Sequence, residues 1–195
     1  MSPIKIQPGG VIYRLKVQLA WIKPDIWRRL LIPGNTKLEQ LHECIQQAFG
    51  WQEEHLHVFE IAGQRYGDPD NPPGRVEFIS ERGTKTKLKF LDLKTGDKFI
   101  YRYDFGDDWT HEVIIESIEA PDPNGYYPDC IGGSRACPPE DCGGIPGYQH
   151  LVEAMKDPTH PAHAEMLDWL GRTYDPESFD LKQARPQGLL MMTIS

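Results

Sequence analysis

From Val11 to Trp21 apolar and polar side chains alternate. Val11, Tyr13, Leu15, Val17, Leu19 and Trp21 share one face; Arg14, Lys16 and Gln18 take the other. That two-residue period marks a half-buried strand. Lys23-Pro24-Asp25 is a turn, because proline favours one and cannot donate to a strand ladder. The stretch "IWRRLLIP" then predicts a second strand, antiparallel to the first and closed by Pro33-Gly34. Thr36 opens a helix, with Glu39 completing a capping box. Leu38, Leu41, Ile45, Ala48 and Phe49 form its apolar stripe, Cys44 sits at the margin as a small buried side chain, and Gly50 stops it.

The period returns to two in His55–Ile61, which sets His55, His57, Phe59 and Ile61 on one face. A short strand is predicted over Arg75–Ile79, and a short helix or strand in "KLKFLDL". Phe99–Phe105 and Trp109–Ile118 form a second hairpin across Gly106-Asp107-Asp108. Helical spacing then takes over. Tyr148, Leu151, Val152 and Met155 stripe one helix, which ends at Asp157-Pro158. Pro161 suits a first helical turn, and His163, Met166, Leu167 and Leu170 stripe a last helix stopped by Gly171. The order implies an α+β fold. A mainly antiparallel sheet is built from two hairpins plus a further strand, with one helix after the first hairpin and two C-terminal helices packed on it.

A chain of 195 residues fits one domain, with 1–10 and 186–195 as loose ends. The formal net charge of -8 argues against non-specific binding to nucleic acid, which needs a cationic surface to displace counterions. The basic stretch Arg82–Lys89, "RGTKTKLK", reads as a solvated loop. The N-terminus has no apolar signal core and no run of 18 apolar residues occurs, so the expected location is the cytoplasm, with no membrane contact. Thiols stay reduced there, so the four cysteines are read as free thiols or metal ligands.

Two stretches could carry chemistry. In "PDCIGGSRACPPEDCGG" (Pro128–Gly144), Cys130, Cys137 and Cys142 are separated by six and four residues. Structural zinc takes four N or S ligands in a tetrahedron, so a fourth must come from outside, His150 being nearest and His111 another candidate. Against this stand an inert loop shaped by its prolines and glycines, and a reactive thiol activated by Arg135. Gly143-Gly144 reads as a helix entry turn. The other stretch is "YDFGDDWTH". Its Asp-Phe-Gly triplet lacks the kinase loops that would give it meaning. If the turn is Phe105–Asp108, Asp104 pairs with Trp109 and Arg102 with His111, making Asp104 and His111 diagonal neighbours. Should His55 and His57 face them, the set His55, His57, Asp104 and His111 could hold a catalytic metal. The alternative is that these histidines satisfy local hydrogen bonds and pack against Trp51, Phe59 and Trp109.

Several stretches together, "YRLKVQL", "KPDIWRRLLIP", "LHECIQQAFGWQEEHLHVFEI", "YRYDFGDDWTHEVIIE" and "YPDCIGGSRACPPEDCGGIPGY", resemble the plasmid pRiA4b ORF-3-like family. The resemblance runs from about Tyr13 to Tyr148. It implies a bacterial or archaeal protein of plasmids and transposable elements, some relatives bearing the label TnpR; it brings no catalytic residue with it. A serine recombinase is excluded by the residues themselves. Of Ser2, Ser80, Ser117, Ser134, Ser178 and Ser195, only Ser134 has an arginine beside it, and no basic helix-turn-helix follows. Two function classes are left. One is a non-catalytic binding or accessory module with a protein partner; the other is a metal-dependent hydrolase using the His/Asp surface.

Overall fold

The computed structural model describes residues 10–67, 83 and 85–186. The strands are β1 (Ile12–Leu19), β2 (Trp27–Pro33), β3 (His57–Ile61), β4 (Gln64–Gly67), β5 (Lys98–Tyr103), β6 (Trp109–Glu119) and β7 (Asp129–Ser134). The helices are α1 (Leu38–Phe49), α2 (Gly144–Lys156), α3 (His163–Leu170) and the single turn α4 (Leu181–Ala184), with a 3-10 turn at Leu88–Phe90. All neighbouring strands are antiparallel, in the order β4-β3-β5-β6-β1-β2-β7. The architecture is α+β, as the order of elements implied.

The alternation works as expected. Tyr13, Leu15, Val17 and Leu19 of β1, with Leu30 and Ile32 of β2, are buried on one face with Phe99, Tyr101, Val113 and Ile115. α1 covers that face with Leu38, Leu41, Cys44, Ile45 and Phe49. Each fully buried leucine or isoleucine there contributes roughly 1.5–3 kcal/mol. Trp21 departs from the pattern. Its φ is 61° and its side chain is 73% exposed, because β1 ends at Leu19 and the chain is already turning.

The start of α1 also differs from expectation. The N-cap is Lys37, whose N–H donates to Gln40 Oε1 at 3.0 Å. Thr36 instead precedes the cap, its carbonyl accepting from Leu88 N–H, and its hydroxyl is buried without a partner among the described residues. The end of α1 is as predicted: Gly50, at φ 80°, closes it by donating to Gln46 O. The described part of the basic stretch is more than a solvated loop. Leu88 is fully buried, and Thr86 O accepts from Leu38 N–H, so this segment fastens the entry of α1. The strand expected at Arg75–Ile79 lies outside the described residues.

Two strands escaped the pattern. β4 follows β3 across Ala62-Gly63, both at positive φ (48° and 74°), as a type I′ turn requires. β7 occupies the first half of the cysteine stretch and pairs with β2 at the sheet edge. Its glycines read as turn formers but serve packing: a Cβ on Gly133 would lie 2.5 Å from Phe179 and 2.9 Å from Arg28 Cδ. α2 follows with Tyr148, Leu151 and Ala154 buried, and α3 leans on it through His163 Nδ1, 2.8 Å from Ala154 O. Among the described residues, no helix is long and apolar enough to cross a membrane.

Candidate functional site

Three loops meet at one end of the sheet. They are the segment 50–56 between α1 and β3, the β5–β6 turn, and the half of the cysteine stretch that follows β7. Trp51 Nε1 donates to Pro138 O (2.9 Å), and Gln52 N–H to Glu140 Oε2 (2.8 Å). Tyr103 donates its hydroxyl to Glu140 Oε1 (2.5 Å) and accepts from Glu54 N–H (3.1 Å). Burial, and then Glu140, push the Tyr103 phenol well up, so it remains a donor. Asp107 Oδ2 accepts from Gly143 N–H at 3.1 Å, tying the turn to the entry of α2. Glu53, Asp104, Asp108 and Asp141 all have positive φ, between 54° and 63°.

The β5–β6 register differs by one residue from the expected one. Tyr103 pairs with Trp109 and Tyr101 with His111, so the connection is the five residues Asp104–Asp108. Asp104 therefore leaves the ladder, and Arg102 pairs with Thr110 and forms an ion pair with Asp108 (2.6 Å). The diagonal Asp104–His111 contact is not formed. His111 is fully buried, edge-on to Phe49 (4.9 Å) and Trp51 (5.4 Å). Its Nδ1 lies 3.3 Å from Tyr101 O; a carbonyl only accepts, so the proton sits on Nδ1. Burial lowers its pKa to about 3.

His57 lies elsewhere, stacked on His42 at 3.6 Å with the rings 5° from parallel. His42 Nδ1 is 2.7 Å from the Tyr101 hydroxyl, which already accepts from Gln46 Nε2 at 2.9 Å. Among the described residues the phenol proton has His42 Nδ1 as its acceptor, which places the imidazole proton on Nε2. Burial, then His57, lower the His42 pKa to about 2. His57 and His111 thus belong to an aromatic core, and the four-residue surface His55, His57, Asp104 and His111 does not assemble.

Two of its members do meet. His55 Nε2 is 3.0 Å from Asp141 Oδ1 and 3.8 Å from Asp104 Oδ2. Asp141 comes from the cysteine stretch, one residue before Cys142. Its only sequence signal was the acidic pair Glu140-Asp141 set between two prolines and a cysteine.

Among the described residues, Cys130, Cys137, Cys142 and His150 do not gather as a group of ligand atoms. Cys130 is buried on β7, its thiol 3.5 Å from Gly132 O. Cys137 Sγ accepts from Arg28 Nη2 at 2.9 Å, and Cys142 Sγ is 3.9 Å from Gly144 O. His150 is exposed on α2, its ring 5.7 Å from that of His160. Burial pushes all three thiols up, Cys137 and Cys142 to about 12, although Arg28 pulls Cys137 the other way. Arg135, the expected activator, is committed to Glu177 (2.6 Å) and Pro24 O (3.0 Å). Among the described residues, His55, Asp104 and Asp141 are the one group of three or more such side chains whose ligand atoms all lie within 4.8 Å of one another.

Beside these loops opens a cleft of about 770 Å³. One wall is Phe49, Trp51 and the Pro138–Asp141 segment; the other is the chain from Trp169 to Ala184. Among the described residues, Glu54, Glu140, Asp141, Asp175 and Asp180 line it against Arg28 and Arg172 only, and Arg28 is turned inward. Gly147 fixes the shape of this region. A Cβ there would sit 1.7 Å from the Cys142 carbonyl oxygen, so the loop rests directly on the backbone of α2. Gly147→Ala is expected to cost about 3 kcal/mol by overpacking, read as a lower urea midpoint at unchanged slope. A wild-type midpoint would show that the loop is not seated there.

The plasmid pRiA4b ORF-3-like protein family model matches residues 11–183. The uncharacterized protein y4hQ of Sinorhizobium fredii is 38% identical over 174 residues, 88% of each chain. The crystal structure of MM3350 from Methanosarcina mazei Go1, a protein of unknown function, superposes with a TM-score of 0.78 at 36% identity. The match covers 89% of this chain and 97% of that one.

Proposed function

This chain belongs to the plasmid pRiA4b ORF-3-like family, and from that premise we propose that it is a non-catalytic binding module whose acidic cleft takes a basic segment of a protein partner. The observation that carries the reading is the cleft lining. Five carboxylates face two guanidiniums, one of them turned inward, and Trp169 stands 47% exposed at the wall. An arginine or lysine of a partner gains a carboxylate and an aromatic face together there. The net charge of -8 steers such a partner inward and repels nucleic acid. The family description names a plasmid reading frame, which supports an accessory role on a mobile element in the cytoplasm.

Titrating the full chain with oligo-arginine and with oligo-glutamate, followed by tryptophan fluorescence, tests this. Oligo-arginine should bind saturably and weaken with salt, and Trp169→Ala or the double change Asp175→Asn, Asp180→Asn should each weaken it about tenfold. Equal responses to the two peptides, or none, would end the proposal.

A further inference from the structure

We propose that His55, Asp104 and Asp141 form a binding site for one divalent transition-metal ion, with Zn²⁺ and Mn²⁺ as the matching class. Asp104 is 7% exposed, yet among the described residues no lysine or arginine pairs with it; the imidazole of His55 lies 3.8 Å from its carboxylate. A buried carboxylate normally has a cation or a full set of donors. Here Oδ1 accepts from Gly106 N–H at 2.9 Å, while Oδ2 faces the imidazole.

His55 supplies an independent observation. Its Nε2 is buried and makes no hydrogen bond among the described residues, although Asp141 Oδ1 is only 3.0 Å away. The carboxylate lies off the line of a ring N–H. Contact without a hydrogen bond is what a lone pair and two carboxylate oxygens show when they converge on a shared point. The three ligand atoms lie within 4.8 Å of one another, and each residue comes from a different loop. One imidazole nitrogen and two carboxylate oxygens are an intermediate donor set, suited to Zn²⁺ or Mn²⁺ over the softer ions that thiolates select. Three protein ligands also leave coordination positions for water.

This site is separate from the sulfurs, and its residues differ from those varied in the cleft test, so the two proposals can fail independently. Isothermal titration of the chelator-stripped full chain with ZnCl₂ and MnCl₂ provides the test. One ion per chain is expected for at least one of the two metals. His55→Gln, Asp104→Asn and Asp141→Asn should each weaken binding by more than about 100-fold, since even partners outside the ligand shell cost 10–100-fold. Cys142→Ser should leave it unchanged. Asp141, with 63% of its side chain exposed, is the variant that tests the site without threatening the fold. Failure of both metals to bind below about 1 mM would overturn the assignment. So would binding that survives both Asp141→Asn and His55→Gln, or binding lost in Cys142→Ser.

Discussion

Acidification is expected to unfold this protein between about pH 5 and 4. His42 and His111 are 7% and 0% exposed and stay neutral in the fold down to pH about 2 and about 3. Released by unfolding, each takes a proton near pH 6.5, as a solvated histidine does. Below that pH the unfolded chain binds two protons that the folded chain does not. Stability is therefore fully present above pH 6.5 and falls as pH drops, by about 2.7 kcal/mol per pH unit. Two units of acidification remove about 5 kcal/mol, the lower end of what a domain possesses. Burial raises the carboxyls of Glu43 and Asp129, which opposes the trend modestly, while the Arg29 hydrogen bond that lowers Glu116 adds to it. Urea titrations at pH 7, 6, 5 and 4.5 read the slope directly. His111→Phe keeps a ring between Phe49 and Trp51 and should halve that slope, whatever it does to stability at pH 7. A flat profile across this range would mean that these imidazoles reach water.

The largest single-residue effect is expected at Arg28. Its side chain is 4% exposed, and among the described residues no carboxylate pairs with it. The guanidinium is solvated by the protein instead. Nε donates to Ala48 O, Nη1 to Trp27 O and Ser134 O, and Nη2 to Arg135 O and Cys137 Sγ, all between 2.8 and 3.0 Å. Phe49 and Phe179 cover it, with ring centroids 5.2 and 4.6 Å from Cζ. Arg28→Ala strands four carbonyls and opens a cavity, at a cost of about 4 kcal/mol or more. Arg28→Lys should recover little, because an ammonium has three donors and no plane to stack between two rings. Four of these bonds, to Ala48 O on one side and to Ser134 O, Arg135 O and Cys137 Sγ on the other, join the end of α1 to the cysteine stretch, so both variants should also loosen the cleft and weaken the oligo-arginine response. A loss of under about 1 kcal/mol in Arg28→Ala, by urea denaturation, would mean that these acceptors find other donors.

Arg28 was open to a sequence reading. In "IWRRLLIP" it falls on the same alternating face as Ile26, Leu30 and Ile32, and a charge on a core face is a signal. Trp51, Tyr103 and Glu140 offered none, because nothing in their local pattern marks a residue that bridges loops. β7 was hidden by glycines whose purpose is the close approach of Phe179, and β4 by its brevity.

By itself the sequence determined the two hairpins, the helix between strands, the α+β class and the family, since each rests on local periodicity or on contiguous motifs. The tertiary structure alone decided which side chains meet. One added residue in the β5–β6 turn moves Asp104 out of the ladder and sends His111 into the core, because side chains alternate faces along a strand and a single-residue slip exchanges them. His55, Asp104 and Asp141 come together only once the segment between α1 and β3, the β5–β6 turn and the cysteine stretch have packed at one end of the sheet. Distances between loops are set by that packing, and no spacing along the chain records them.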